Sequence, residues 1–301
     1  VIIGDKPVKE TREIEAKATS FEELFEYNVD TSSLRGKDVV FHEYIEYKGV
    51  KVNDHSDLKN PNETLTFADV TTKAFDEKTL ISLGSLDSTV IKDTVTVKNS
   101  QKGVPQTVKG ILMDKATGEY LGKAEGYGPF ESKVDITPKE RDYEVEVSFS
   151  IPNSKILEGK DIVCYESVYL NNTEITFHKD INDLGQTITF VQERTTATWG
   201  NGTKLVNAED KTFELKDTVH YKGLIPGKEY TQTGTVMNQV TGEPLMQDGQ
   251  PVTSSVTFTP QTSEGDVEIV FNINTSALAG ETFVVFEDLY YNGVKIATHS
   301  D

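Results

Sequence analysis

The segment 178–187 reads His-Lys-Asp-Ile-Asn-Asp-Leu-Gly-Gln-Thr and closes a strand-rich stretch of the chain. It combines a histidine, carboxylates and a glutamine. A shortened echo, His-Ser-Asp, occupies 299–301, and the same three residues occupy 55–57. Three copies of one short pattern indicate tandem repeats, which have to be recognised before a fold is assigned.

Other residues recur at nearly constant spacing. Thr71 and Asp93 recur 124 residues later, as Thr195 and Asp217. Glu166 and His178 recur 121 residues later, as Glu287 and His299. Near the start of the chain only the later half of the pattern is present, with Glu43 twelve residues before His55. We therefore predict an incomplete first repeat (1–67), a complete middle repeat (68–191) and a third repeat (192–301) without its final strand, together a fragment of a longer array.

Within each repeat, short runs alternate between apolar and polar residues and end at turn signals. The runs 93–97 and 143–149 are clear examples, whereas 16–24 lacks a helical period and is interpreted as strand or loop. Many short strands with frequent turns predict an all-β chain of Ig-like β-sandwich or partly open barrel repeats. The short connection between 190 and 195 predicts that the repeats form a stiff rod.

Composition excludes several classes of function. The formal net charge is −19, which disfavours binding to nucleic acid or to an anionic membrane surface. No apolar run approaches the ~18 residues of a membrane-spanning helix, and we expect no membrane insertion or signal peptide in this sequence. The single cysteine, Cys164, allows no internal disulfide and is interpreted as a small core residue.

The repeated residue types suggest a specific chemistry. A threonine hydroxyl, here Thr71, is a weak nucleophile until a base such as His178 takes its proton. The carboxamide of Gln186 becomes an electrophile when its oxygen is polarised by a protonated acid. Two close carboxyls, here Asp93 and Glu166, can share one proton and keep one of them neutral. Attack of the hydroxyl on the carboxamide would release ammonia and leave an ester, which is plausible only in a dry site.

The sequence resembles the ester-bond-containing VaFE repeats of Gram-positive surface adhesins. The resemblance rests on three features. Two are an opening Thr-Thr strand (195–196) and an Asp-Thr-Val strand (217–219). The third is a Val-Val-Phe-Glu strand (284–287), and its counterpart in the middle repeat is followed by His-x-Asp (178–180) and Gln-Thr (186–187). It covers almost the whole chain. It implies tandem Ig-like, Cna-B-like β-sandwiches in a secreted, cell-surface protein anchored to the cell wall.

The family pattern also implies residue roles. In the middle repeat, Thr71 would be joined to Gln186 with the help of Asp93, Glu166 and His178. In the third repeat, the corresponding residues would be Thr195, Asp217, Glu287 and His299. The resemblance implies a structural stalk that cross-links itself in a single turnover, not an enzyme, with no cofactor and no metal. Its partners would be the neighbouring repeats, a distal adhesin domain and a host ligand that the sequence does not specify.

The sequence departs from the pattern in two places. In the first repeat Glu63 stands at the glutamine position, where an anionic carboxylate is a poor electrophile. In the third repeat the glutamine position falls beyond residue 301. We expect neither repeat to close its own cross-link within this sequence.

Three alternatives remain open at this point. A module that binds a host glycan or matrix protein would need exposed aromatic side chains, for which Tyr120, Tyr127 and Phe130 are the candidates. A hydrolase could use a similar set of threonine, histidine and glutamate. Finally, a lysine–asparagine isopeptide could replace the ester in a related sandwich.

Overall fold

The computed structural model describes residues 2–3, 6–123, 130–208 and 211–300. Across these ranges the regular structure consists of β-strands and short 3-10 helices, so the prediction of an all-β chain is confirmed. The segment 16–24 is loop, as the lack of a helical period indicated. In these same ranges, no helix is both long enough and apolar enough to cross a bilayer.

The first repeat contains three small antiparallel pairs. The strands are β1 (Ile2–Ile3), β2 (Lys6–Pro7), β3 (Asp38–Val40), β4 (Glu43–Tyr47), β5 (Val50–His55) and β6 (Thr64–Thr66). β1 pairs with β2, β3 with β6, and β4 with β5. The turn between β4 and β5 uses Lys48 and Gly49, both at positive φ, as two-residue hairpin turns require.

The middle repeat has two sheets. Its strands are β7 (Asp69–Asp76), β8 (Thr89–Lys98), β9 (Gln106–Asp114), β10 (Glu119–Tyr120), β11 (Glu131–Ile136), β12 (Tyr143–Ile151), β13 (Asp161–Leu170), β14 (Thr173–His178) and β15 (Thr187–Thr189). One sheet has the order β12-β8-β7. The other has the order β10-β9-β13-β14, with β11 also on β9 and β15 also on β13.

The third repeat also has two sheets, with the strands paired in a similar order. Its strands are β16 (Gln192–Trp199), β17 (Thr212–Lys222), β18 (Tyr230–Asn238), β19 (Met246–Gln247), β20 (Gln250–Pro251), β21 (Thr253–Phe258), β22 (Glu264–Asn274), β23 (Phe283–Tyr291) and β24 (Val294–His299). β16-β17-β22 form one sheet, β21-β18-β23-β24 the other, and β19-β20 a hairpin.

Strand alternation builds the core of each sandwich. β8 buries every second residue, so Ile91, Val95 and Val97 face inward while the residues between them are only partly buried. Inward-facing apolar residues of both sheets form one cluster in the middle repeat and a second cluster in the third. The predicted β-sandwich repeats are therefore confirmed. At about 25 cal/mol per Å² of buried apolar surface, this burial is the main stabilising term.

Candidate functional site

Two carboxylic acids lie inside the middle repeat among apolar side chains. Asp93 on β8 and Glu166 on β13 are both fully buried. Asp93 falls on the buried phase of β8, and Glu166 lies in a run of β13 that is buried on both faces. Their carboxylate oxygens and the Cys164 sulfur lie within 4.8 Å of one another. Two acids this close in a dry interior cannot both be ionised at low cost.

The pKa values follow from this environment. Burial raises the pKa of Glu166 well above its ordinary value, and the adjacent Asp93 carboxyl raises it further. Burial also raises the pKa of Asp93, opposed by the neighbouring Glu166 carboxyl and by the hydrogen bond from Gln186. We conclude that the pair holds a proton at neutral pH, chiefly on Glu166.

A carboxamide lies against this acid pair. Gln186 is fully buried, and its Nε2 donates to Asp93 Oδ1 at 3.4 Å. Gln186 ends a 3-10 helix (Leu184–Gln186) whose N-cap is Asp183, which accepts from Gly185 N at 2.7 Å. The second carboxyl oxygen of Asp93, Glu166 Oε1 and Gln186 Oε1 have no hydrogen-bond partner among the described residues. Buried, unpartnered polar atoms of this kind often mark a reactive site.

The hydroxyl that faces the acids belongs to Thr72. Its Oγ1 donates to Glu166 Oε2 at 3.2 Å. Thr71, the residue expected from the sequence to form the cross-link, is exposed on the opposite face of β7. The structure therefore corrects that expectation: it brings Asp93, Glu166 and Gln186 together with Thr72, and it does not bring Thr71 to the site. Adjacent residues of a strand point to opposite faces, so only one of the two threonines can face inward.

A signal for the threonine that faces the acids is present in the sequence. Thr72-Lys73-Ala74 and Thr195-Thr196-Ala197 both read Thr-x-Ala, at a spacing of 123 residues. The strand register agrees, since Ala74 pairs with Asp93 and Ala197 pairs with Asp217. Alignment on the Thr-Thr dipeptide instead shifts the middle repeat by one residue, and this reverses the face of the strand.

The fold brings the first and last strands of the middle repeat to the same edge of the sandwich. β7 packs against β14, β15 and the 3-10 helix that carries Gln186.

Glu166 pairs with Gly110 on β9, where a Cβ would come within 2.6 Å of the Phe149 ring. In the third repeat, Gly234 pairs with Glu287 and has the same relation to Phe271, at 2.7 Å. A glycine opposite the acid lets the aromatic ring seal the site.

His178 is held by a carboxylate, but not by the one nearest to it in the sequence. Its Nε2 lies 2.7 Å from Asp183 Oδ2, whereas Asp180 accepts a hydrogen bond from Asn182 N. His178 pairs with Glu166 in the β13–β14 register. Asp183 is the site residue that the sequence reasoning did not single out. It links the histidine to the turn that carries Gln186, in a His–carboxylate arrangement that orients the imidazole.

The third repeat contains the same acid pair. Asp217 and Glu287 are buried, and within the part of the chain that the structure describes none of their four carboxylate oxygens has a hydrogen-bond partner. Burial, followed by the neighbouring Asp217 carboxyl, raises the pKa of Glu287 to about 11. His299 pairs with Glu287, as His178 does with Glu166. Thr195 lies on the same face of β16 as Ala197, so its hydroxyl position corresponds to that of Thr72.

A further polar pair occurs in the third repeat. Glu193 and Gln232 are buried at positions that Val70 and Val108 occupy in the middle repeat. Their side-chain nitrogen and oxygen atoms have no hydrogen-bond partner in the described ranges of the chain. Burial raises the pKa of Glu193 to about 8, opposed by Gln232. Glu193 is therefore mostly protonated in the folded chain at neutral pH.

We expect the third repeat to lose stability as the pH rises. The pKa of Glu193 is about 8 in the folded chain against an ordinary value of 4.5, so its contribution to stability is complete below pH ~4.5 and is lost as the pH rises through ~8. The loss attributable to Glu193 is on the order of 3 kcal/mol. Denaturant titrations at pH 5 and pH 8, followed by fluorescence of Trp199, the single tryptophan, measure it.

The matched control for this prediction is the double variant Glu193→Val and Gln232→Val, which copies the middle repeat. Because Glu287 also titrates, the difference between the two proteins isolates Glu193. An equal pH dependence in both would contradict the assignment.

The first repeat has an exposed counterpart of the site. Ligand atoms of Glu43, His55 and Glu63 lie within 4.8 Å of one another, and Glu43 pairs with His55. Asn60 Nδ2 lies 2.9 Å from His55 Nε2. The cluster is half-exposed, and exposed acidic groups of this kind do not by themselves make a metal site.

In the middle repeat, burial keeps the Cys164 thiol protonated by raising its pKa, and a protonated thiol is a poor metal ligand.

The alternatives from the sequence receive little support from the described residues. Phe130 belongs to the middle core and Tyr120 packs against it, while Tyr127 lies outside the described residues. A lysine–asparagine isopeptide needs a buried lysine, and no lysine is among the buried side chains of the residues described. The acid site itself is closed to solvent, which disfavours a hydrolase acting on an external substrate.

Comparison with protein families gives one match, repeated along the chain. The sequence model described as "T-Q ester bond containing domain" matches residues 4–67, 68–190 and 194–301. A search of curated proteins finds no match.

Among solved structures, an adhesin from Mobiluncus mulieris with disulfide, isopeptide and ester bond cross-links is similar in two crystal forms. Both have TM-scores of 0.34, with 16% and 14% identity, covering 75% of this chain and 82% and 81% of the adhesin. A transglutaminase from red sea bream has a TM-score of 0.29 and 11% identity, covering 80% of this chain and 32% of the enzyme. Scores this low add nothing to the family match.

Proposed function

Because the chain belongs to the family of T-Q ester bond containing domains, we propose that it is a stalk segment of a cell-surface adhesin. In this proposal the middle repeat locks itself with an ester between Thr72 and Gln186. The bond forms once per molecule, so the chain is a self-cross-linking structural protein and not an enzyme. The third repeat carries the corresponding set of Thr195, Asp217, Glu287 and His299 for a bond of the same kind.

One observation carries the proposal. A threonine hydroxyl and a glutamine carboxamide both contact the same buried acid pair, at 3.2 Å from Glu166 and 3.4 Å from Asp93. Nucleophile, electrophile and proton donor thus lie in one closed site. Holding reacting groups together in this way replaces a bimolecular encounter with an intramolecular step.

The proposed reaction balances without a further reactant. Thr72 Oγ1 bonds to the carboxamide carbon of Gln186, and the bond from that carbon to Nε2 breaks. His178, oriented by Asp183, is the base that takes the hydroxyl proton. That proton leaves on ammonia. Protonated Glu166 stabilises the negative charge that develops on Gln186 Oε1, while Asp93 accepts from the departing nitrogen. Loss of ammonia from a water-free site draws the reaction forward.

The ester would act mechanically. Thr72 lies on the first strand of the middle repeat and Gln186 directly before the last, β15. Tension along a chain of repeats enters through one of these strands and leaves through the other. A covalent bond between them prevents the strands from separating under load and limits access for proteases. The partners in this role are the neighbouring repeats and a distal binding domain, in a secreted protein anchored to the cell wall and arranged as a rod.

Intact-mass measurement tests the proposal. We expect the purified chain to be lighter than its sequence mass by one ammonia molecule. Fragment spectra should show a cross-link between the peptides that contain Thr72 and Gln186. A chain at its full sequence mass after complete folding would remove the chemical basis of the proposal.

A further inference from the structure

The loop between β7 and β8, residues 77–88, leaves the body of the middle repeat. Its central residue, Leu83, has no exposed surface, yet it does not belong to the middle core. It belongs to the hydrophobic cluster of the third repeat, together with Val191, Leu224 and Tyr230. Ile81 from the same loop packs against that cluster as well. One repeat therefore contributes side chains to the core of the next.

A buried carboxylate fixes the shape of this loop. Asp76, fully buried at the end of β7, accepts from Lys78 N at 2.8 Å, Thr79 N at 3.0 Å and Ser85 N at 2.8 Å. It also accepts from the hydroxyls of Ser85 and Thr89. Charge-assisted hydrogen bonds of this number make a strong anchor. The loop thus presents Leu83 as a preformed feature.

The same loop binds the chain where it passes from the middle to the third repeat. Gly84 N donates to Thr189 O at 2.9 Å, and Thr189 N donates to Ser82 O at 3.0 Å. The Phe190 ring packs so closely on Gly84 that a Cβ there would lie 2.2 Å away. Beyond the connection, Leu86 N donates to Lys295 O on β24 at 2.9 Å. The loop therefore contacts both the last strand of one repeat and a strand of the next.

Among the described residues, the other junction and the other copy of the loop do not show these features. In the third repeat, Trp199 stands where the middle repeat has Asp76, and Leu205 in the following loop is 83% exposed. At the junction between the first and middle repeats, Arg35 forms an ion pair with Asp69 at 3.1 Å and lies over the Phe177 ring. Arg141 donates to both carboxylate oxygens of Asp38, at 2.9 and 2.7 Å, on a largely exposed surface. Exposed ion pairs of this kind stabilise little.

We propose that the loop 77–88 is a plug that completes the core of the third repeat, so that the third repeat depends on the folded middle repeat for its stability. The coupling is one-sided. Leu83 fills space among third-repeat side chains, whereas the middle core does not include it. A Leu-to-Ala change in a closed core leaves a cavity that its surroundings fill only in part.

The test uses Leu83→Ala in the full chain, with thermal unfolding followed by Trp199 fluorescence. Trp199 packs against the third-repeat core and reports on that repeat. We expect the midpoint of this transition to fall by at least about 8 °C. Hydrogen exchange of β9 and β13, measured in parallel, should remain at the wild-type rate, because those strands lie in the middle repeat.

The matched control is Leu80→Ala, which makes the same change on the same loop at a side chain that is 71% exposed. A second variant, Asp76→Asn, weakens the anchor while leaving every third-repeat atom in place, and it should lower the Trp199 midpoint in the same direction. If Leu83→Ala matched Leu80→Ala, or if Asp76→Asn left the Trp199 midpoint unchanged, the plug would be refuted. Faster exchange in the middle repeat with an unchanged third repeat would refute it equally.

Discussion

The Thr72→Ala variant should keep its full sequence mass, whereas Thr71→Ala should still lose one ammonia molecule. The two threonines are neighbours in the chain, but only Thr72 faces the buried acids, with its Oγ1 3.2 Å from Glu166. Thr71 lies on the exposed face of β7. We expect complete loss of the cross-link in one variant and no loss in the other, as measured by intact mass and by spectra of the peptide pair.

Thr71→Ala is the matched control, since it removes the same atoms from the same strand. Thr72→Ser should retain the cross-link, because the hydroxyl is kept. The opposite pattern, with the bond lost in Thr71→Ala and kept in Thr72→Ala, would mean that β7 pairs in a different register in solution. That result would restore the threonine first expected from the sequence.

Loss of the ester should lower the free energy of unfolding of the middle repeat by about 4–5 kcal/mol. The bond closes a loop that spans nearly the whole repeat, and a cross-link over a loop of ~100 residues restricts the unfolded chain by that amount in the chain-entropy model. Gln186→Glu removes the amide leaving group with almost no change of shape. Denaturant titration followed by hydrogen exchange of β9 and β13 measures the difference from the native protein.

A buried glutamate carries a cost of its own, so a second unlinked variant is needed. Thr72→Ala leaves Gln186 in place and should lose a comparable amount of stability, while Thr71→Ala should stay near the native value. If both unlinked variants unfolded at the native denaturant concentration, the bond would not stabilise the repeat. The mechanical role proposed for it would then lose its basis.

Repetition was the most informative property of the sequence. The recurrence of Glu, His and Asp at fixed spacing identified tandem copies, and alternation along the runs predicted strands that the structure contains, such as β8 and β12. The spacing of Glu and His is the same in all three copies because each pair forms a cross-strand contact in a hairpin: Glu43 with His55, Glu166 with His178, and Glu287 with His299. Pairing between the two strands of a hairpin can therefore be predicted from the spacing of residues in the sequence.

Contacts between residues brought together by tertiary packing could not be predicted from the sequence in the same way. Asp183 was one of two aspartates after the histidine, and only the 3-10 turn before Gln186 decides that it, and not Asp180, reaches His178. Glu193 and Gln232 lie on β16 and β18, and no pattern in the sequence links them. Their burial depends on the packing of two sheets, which joins residues far apart in the chain.

By itself, the sequence determined the family, the all-β class and the kinds of side chain available for an ester, because these depend on composition and on spacing along the chain. The tertiary structure decided which of two adjacent threonines faces the acids and into which core Leu83 is inserted. The physical reason is that a strand has two faces. A shift of one residue turns a side chain from interior to solvent, and only the packing of the sheets shows which face is buried.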